Sequence, residues 1–180
     1  AAYQLDRLLG LGRVPPSVPR QLKGEDGTVT LWIERTIMDR DRRERRLEPP
    51  DAIRWEQQKR IMYVFDNLIG NVDSNLGNIL IDRGWRLWLI DHTRAFNSNR
   101  ALLEPRVLTR CERGLFRALE QLDEAEARRR LAPYLGRYEI DAVLARRTAI
   151  LELFRAEIER VGENVALFDL RPAAPGLADW

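Results

Sequence analysis

Asp73, Asn78 and Asp91 place two carboxylates and a carboxamide at fixed intervals in the middle of this chain, the last of them thirteen residues beyond the second. They bracket two short apolar runs, Ile79-Leu80-Ile81 and Leu87-Trp88-Leu89-Ile90, and follow the stretch Leu68-Ile69-Gly70-Asn71-Val72. Hard oxygen donors and one base at the mouth of a hairpin are the groups a protein gathers around a metal-bound phosphate. Taken singly, Asp73, Ser74 and Asn75 fit an Asx-type turn and Asn78 a cap before a strand. The joint spacing of three, with apolar strands between, favours phosphate and metal chemistry over turn chemistry.

Elements on either side must hold these residues in place. Asp51 can cap a helix in which Ile53, Gln57, Ile61, Val64, Phe65 and Leu68 recur at helical spacing up to Gly70, so the helix delivers the chain into the Asp73 loop. Asp82-Arg83-Gly84-Trp85 then turns one apolar strand into the next. Upstream, Tyr3, Leu5, Leu8, Leu9 and Leu11 predict a short helix ending at Gly10 or Gly12, and the prolines of Val14 to Pro19 predict an extended connection. Gly24-Glu25-Asp26-Gly27 reads as a turn joining strands at Arg20 to Lys23 and Thr28 to Ile33. Residues 34–50 mix acids with Arg40, Arg42, Arg43, Arg45 and Arg46, and read as an exposed, partly helical connection with a solvated charged face. Beyond Pro105 three helices are expected, from Arg106 to Gln121, from a cap at Asp123 to Leu131, and from Ile140 to Val161. Residues 171–180 read as a loose tail.

Composition narrows the classes. The chain has 180 residues, 44% hydrophobic and 32% charged, enough for one sizeable core. Its formal net charge of +2 supplies no strong field for nucleic acid or an anionic membrane, in spite of a pI near 9.0. One cysteine, Cys111, excludes an intrachain disulfide framework and a cysteine-rich zinc site, and it reads as a small buried residue. Together with the lack of an apolar membrane-length run or a leader, it points to a cytoplasmic protein. His92, the only histidine, cannot make a cluster alone and reads as an orienting or packing group. Trp85 and Trp88 read as packing side chains.

The run from Asp51 to Phe96, about a quarter of the chain, resembles the C-terminal lobe of the protein-kinase-like fold. Asp73 and Asn78 reproduce the D-x-x-x-x-N spacing of a kinase catalytic loop, and Asp91 stands where a DFG aspartate would. Within that fold, Leu68-Ile69-Gly70-Asn71-Val72-Asp73 and Ile90-Asp91-His92-Thr93-Arg94-Ala95-Phe96 are similar to the atypical branch that includes phosphatidylinositol 3- and 4-kinases and the secretory Golgi casein kinase. The resemblance implies an α+β fold: a mostly helical C-lobe at 51–170 with a catalytic β-hairpin, a charged connection at 34–50, and a remnant of the N-lobe sheet within 1–33.

It also implies roles. Asp73 would orient the attacking hydroxyl or take its proton, while Asn78 and Asp91 would coordinate Mg2+ or Mn2+ bridging the phosphates of ATP. Leu80 would floor the adenine pocket, Ile90 would line it, and Trp32, Ile33 and Glu34 would form the hinge. Ser74-Asn75 replaces the arginine-histidine usual in the lipid kinases, which turns the expectation towards a protein or small-molecule hydroxyl acceptor. Neither of the two lysines, Lys23 and Lys59, sits where a phosphate-binding strand lysine would, and no glycine-rich phosphate loop is present. The resemblance thus begins at the regulatory helix, and the missing parts are expected upstream of residue 1. An ATP-dependent phosphotransferase is the reading, with a catalytically inactive pseudokinase-type module as the alternative.

Overall fold

The computed structural model describes every residue except Ala174, Pro175, Leu177, Asp179 and Trp180. Helix α1 (Ala2–Leu8) opens the chain and buries Ala2, Leu5 and Asp6. Strands β1 (Ser17–Leu22) and β2 (Glu25–Thr30) pair antiparallel. Their turn is Lys23-Gly24, both at positive φ (52° and 85°), which is the backbone of the tight primed turns that match strand twist. The turn therefore lies one step before the expected one, and Glu25, Asp26 and Gly27 belong to β2.

Residues 34–50 are more ordered and more buried than their charge pattern implies. They contain β3 (Thr36–Met38) and α2 (Asp39–Glu44). Asp39 and Arg42 are buried and paired at 2.5 Å, and the Arg42 guanidinium lies 5.0 Å from the centroid of the Trp55 ring. A solvated face is thus corrected to a mixed one, with Arg40 and Arg43 outside and Asp39 and Arg42 inside.

Helix α3 (Ala52–Ile69) begins where Asp51 accepts a hydrogen bond from Arg54 N at 3.0 Å. It ends where Gly70 turns left-handed and Asn71 N bonds back to Asp66 O at 2.9 Å. Strands β4 (Ile79–Asp82) and β5 (Leu87–Leu89) form the expected hairpin, and β3 adds to its free edge in the order β3-β4-β5. The alternation of buried and half-buried positions along the hairpin puts Ile79, Ile81, Leu87 and Leu89 into the core. Gln58 fixes the hairpin to α3, accepting from Leu87 N at 3.1 Å and donating to Trp85 O at 2.8 Å. Trp85 packs edge-on to Trp55, and Trp88 donates its indole N–H to Asp82.

Past the hairpin the expected single helix from Arg106 to Gln121 is divided. A 3₁₀ turn covers Pro105–Val107, β6 covers Cys111–Glu112, and only then does α4 (Arg113–Gln121) start, capped by Glu112 on Leu115 N. Helix α5 (Glu124–Leu131) is capped by Asp123, as expected. Helix α6 (Arg137–Val161) packs along α3, and Phe65, Leu68, Ile69, Ile150 and Phe154 between them are fully buried. The short α7 (Glu163–Ala166) leads to β7 (Leu167–Phe168), which pairs parallel with β6. Cys111 is buried there, and burial pushes its thiol well up from the ordinary range. Part of the expected loose tail lies outside the described residues. Of the rest, Arg171 bonds to Gln57 and Asp51, and Ala178 N to Arg83 O.

Candidate active site

Gly70 starts the site because nothing larger fits. Its φ is +64°, and a Cβ there would stand 3.0 Å from Cζ of Arg146. From this point the loop is laid out by side-chain hydrogen bonds. Asp66, buried in the last turn of α3, accepts from Asn71 Nδ2 at 2.9 Å and from Ser74 Oγ at 2.6 Å. Burial raises the Asp66 pKa above the ordinary carboxylate value, against the lowering effect of those two donors. Asn71 Oδ1 in turn accepts from Asp73 N at 3.2 Å.

Asp73 is half-buried, and its Oδ1 accepts from Asn75 Nδ2 at 3.0 Å. Its Oδ2 faces Nη1 of Arg94 at 3.9 Å. Asn78 donates its amide to Asp73 O at 3.1 Å, and among the described residues its Oδ1 accepts no hydrogen bond. Ile90 N bonds to Asn78 O at 3.0 Å, so the ends of β4 and β5 meet and bring Asn78 beside Asp91. Asp91 is exposed with φ +53°, and its Oδ1 accepts from Thr93 Oγ1 at 2.7 Å, which lowers its pKa. Backbone pairing thus sets Asn78 against Ile90, next to Asp91, and the Asn78 amide ties it to Asp73, whose two oxygens face Asn75 and Arg94.

That donor set fits a hard divalent cation, since it is all oxygen and carries at most two negative charges. No three His, Cys, Asp or Glu residues form a metal-holding group among the described residues, so an ion held here by Asp91 would need Asn78 Oδ1 and oxygens from a bound substrate as further ligands. Neighbouring His92 packs edge-on to Phe65, ring centroids 6.0 Å apart, and burial lowers its pKa to about 4. It is neutral and serves packing, as expected of a lone histidine.

A cleft of about 470 Å³ opens beside Asp91, walled by Ile90 and Leu89, by Val14, and by Thr28 and Thr30 of β2. Ile90 and Asp91 line it. Leu80 is half-buried on the hairpin between its register partners Met38 and Trp88 and does not line the cleft. Trp32 is 81% exposed, Glu34 is exposed and Ile33 half-buried, all on the segment between β2 and β3 and away from the lining. A second cleft of about 420 Å³ borders the opposite part of the loop, at Asp66, Asn71, Ser74 and Glu104.

Three site residues escaped the sequence reading. Asp66 and Arg146 are charged residues on apolar helix faces, Asp66 beside Phe65 and Arg146 between Val143 and Ile150, and that interruption was the available signal. Arg146 is fully buried and ties the site together, with Nε on Leu68 O at 2.9 Å and Nη1 on the carbonyls of Asn97 and Asn99. Arg94 lies within the Asp91-to-Phe96 motif but carried no spacing cue.

No protein-family model matches the chain, and no curated protein does. Among solved structures the chain is similar to hydra Fam20, solved with sugar, at a TM-score of 0.69 and 14% sequence identity, over 93% of this chain and 72% of that one. A likeness at that identity speaks for architecture alone, and it agrees with the motif spacing: this is an α+β chain with an atypical kinase-like fold.

Proposed function

We propose that this chain is the catalytic part of an ATP-dependent phosphotransferase acting on a hydroxyl of a protein or small molecule. One observation supports the reading: Ile90 N bonds to Asn78 O where β4 and β5 meet, Asn78 donates to Asp73 O, and Asp91 follows Ile90, so the loops that carry the three residues leave the same end of one hairpin. Asn78 and Asp91 would hold Mg2+ or Mn2+, which supplies charge neutralisation to the phosphates of ATP. Asp73 orients the acceptor hydroxyl and receives its proton on Oδ2. Asp66, through Ser74 and Asn71, keeps the backbone of that loop in the conformation that aims Asp73 outward. Ile90 would wall the nucleotide pocket, whereas Leu80, Trp32, Ile33 and Glu34, which do not line the cleft, keep no part in this reading. A cytoplasmic setting accompanies this proposal, and no helix among the described residues is long and apolar enough to cross a membrane.

A specific observation favours the second reading, a catalytically inactive interaction module. Lys59 is paired with Glu56 at 2.6 Å and Lys23 occupies the β1–β2 turn, so neither lysine serves the cleft. Calorimetric titration with manganese, with and without ATP, separates the cases. The phosphotransferase reading expects metal binding that ATP strengthens and that Asp91→Ala removes; unchanged binding in that variant overturns the ligand assignment.

A further inference from the structure

We propose that Arg94 is a catalytic residue that contacts the transferring phosphoryl group. The inference rests on the phosphotransferase reading and assigns it a group that neither the motif nor the spacing pointed to.

Charge at the loop raises the question. Between Asp73 and Asn78 stand Ser74, Asn75, Leu76 and Gly77, none of them cationic. Phosphoryl transfer spreads negative charge over the equatorial oxygens in flight, and a cation close to the attacking and transferred atoms is worth much of the rate. Among the arginines and lysines near the loop, most are committed elsewhere. Arg40 reaches the loop only with its backbone N, on Leu76 O at 3.2 Å, while its side chain lies by Asp41 at 3.7 Å. Lys59 is held by Glu56, and Arg146 is enclosed among carbonyls on the inner side.

Arg94 differs in three respects. Its guanidinium is 3.9 Å from Asp73 Oδ2, the oxygen that Asn75 leaves free. Asp73 is its one side-chain partner among the described residues, and its side chain is 68% exposed. A pair that open and that long contributes little to stability, so folding does not account for the placement. Lastly, Arg94 follows Asp91 by three residues on the loop that turns at Asp91, whose φ is +53°, so the loop that carries the proposed metal ligand also carries the cation facing the proposed proton acceptor. Arginine suits this post because it stays protonated and offers a fork of donors to phosphate oxygens.

The step balances without further reactants. The acceptor oxygen forms a bond to the γ-phosphorus of ATP as the bond from that phosphorus to the β,γ-bridging oxygen breaks. The electron pair leaves on ADP, and the hydroxyl proton passes to Asp73. Arg94 remains protonated throughout, facing Asp73 before the transfer and the phosphoryl oxygens during it.

The test compares ATP with ADP in calorimetric titrations of the longest natural form of the protein, in saturating manganese, for the parent, Arg94→Ala and Arg94→Lys, alongside melting curves and a phosphoryl-transfer assay. A contact to the transferred group predicts that Arg94→Ala weakens ATP about tenfold, the loss of one charge-assisted phosphate contact. ADP affinity and melting temperature stay unchanged, transfer falls about a hundredfold or more, and Arg94→Lys recovers part of both losses. Equal ATP preference and equal turnover in Arg94→Ala overturn the proposal. If Asp73→Asn stops transfer in the same assay while Arg94→Ala does not, the phosphotransferase reading stands and only the role of Arg94 falls. If the parent shows neither ATP binding nor transfer, the reading and the role fall together.

Discussion

Replacing Arg146 by methionine should loosen the site from behind while leaving every proposed reacting group in place. The guanidinium bonds Leu68 O in the final turn of α3 and the carbonyls of Asn97 and Asn99 beyond the Asp91 loop. It therefore joins the helix that feeds the Asp73 loop to the irregular segment that follows Asp91, and it puts a cation at a helix C-terminus where carbonyls are left over. Methionine keeps the apolar stem and removes the donors. Leu68 is fully buried, so its carbonyl loses a partner that water cannot replace, at about 1–3 kcal/mol. Asn99 is exposed and Asn97 half-buried, so their carbonyls recover much of the loss by hydration. Against this, the variant no longer buries a charged group, whose desolvation is visible in an Arg146 pKa lowered to about 10. The net is about 2 kcal/mol of destabilisation, or a fall of about 4–8 °C in melting temperature for a chain of this size. Arg146→Lys, which retains charge and one reach, should fall in between. Scanning calorimetry reads the melting temperatures, and calorimetric ATP titration reads the site; both should weaken together in Arg146→Met. Melting at the parental temperature, or ATP binding unaltered in a variant that does melt early, would refute the clamp.

Asp66 makes a signed prediction about pH. Its folded pKa lies above the unfolded value of 3.8, so between the two the native state binds more protons, and stability falls as pH rises through that window and is flat above it. Asp66→Asn lacks this titration, so in urea melts at stepped pH the parent should lose stability relative to the variant on leaving acid; a difference that grows the other way contradicts the buried-carboxylate account. Gly70→Ala and Gly10→Ala separate backbone strain from contact. Both residues have positive φ (+64° and +65°), but only at Gly70 does a Cβ meet a side chain, the Arg146 guanidinium. Each should lose about 1–2 kcal/mol for the left-handed backbone, and Gly70→Ala should lose more in denaturant titrations; equal losses would show that Arg146 yields freely.

The parts of this architecture that sequence makes legible are those with local causes. Asp51 caps α3 through its own side chain, Gly70 stops it by its φ, and the alternation of Ile79 to Ile81 and Leu87 to Leu89 sets the hairpin. Spacing likewise put Asn78 and Asp91 at the paired ends of that hairpin, where Ile90 N bonds to Asn78 O. Long-range causes were not legible. Asp39 and Arg42 look solvated until Trp55, on another helix, covers them. Cys111 and Glu112 form a strand only because Leu167 and Phe168 come to lie beside them. Lys23 adopts positive φ with no glycine of its own to announce it, and the hairpin turn shifted accordingly. Asp66, Arg94 and Arg146 act through partners 8, 21 and 78 residues distant, which no local pattern encodes.

The central claim is that Asp73 takes the acceptor's proton, and Asp73→Asn tests it most directly. The amide keeps the size and an oxygen for the Asn75 amide but accepts no proton, while Asn78 and Asp91 are untouched. Phosphoryl transfer from radiolabelled ATP, measured on the longest natural form of the protein beside a melting curve and a manganese titration, should fall by about 100-fold or more, the scale of general base catalysis. Melting and metal binding should hold. A variant that melts normally, binds manganese normally and still transfers phosphate at the parental rate would contradict the account.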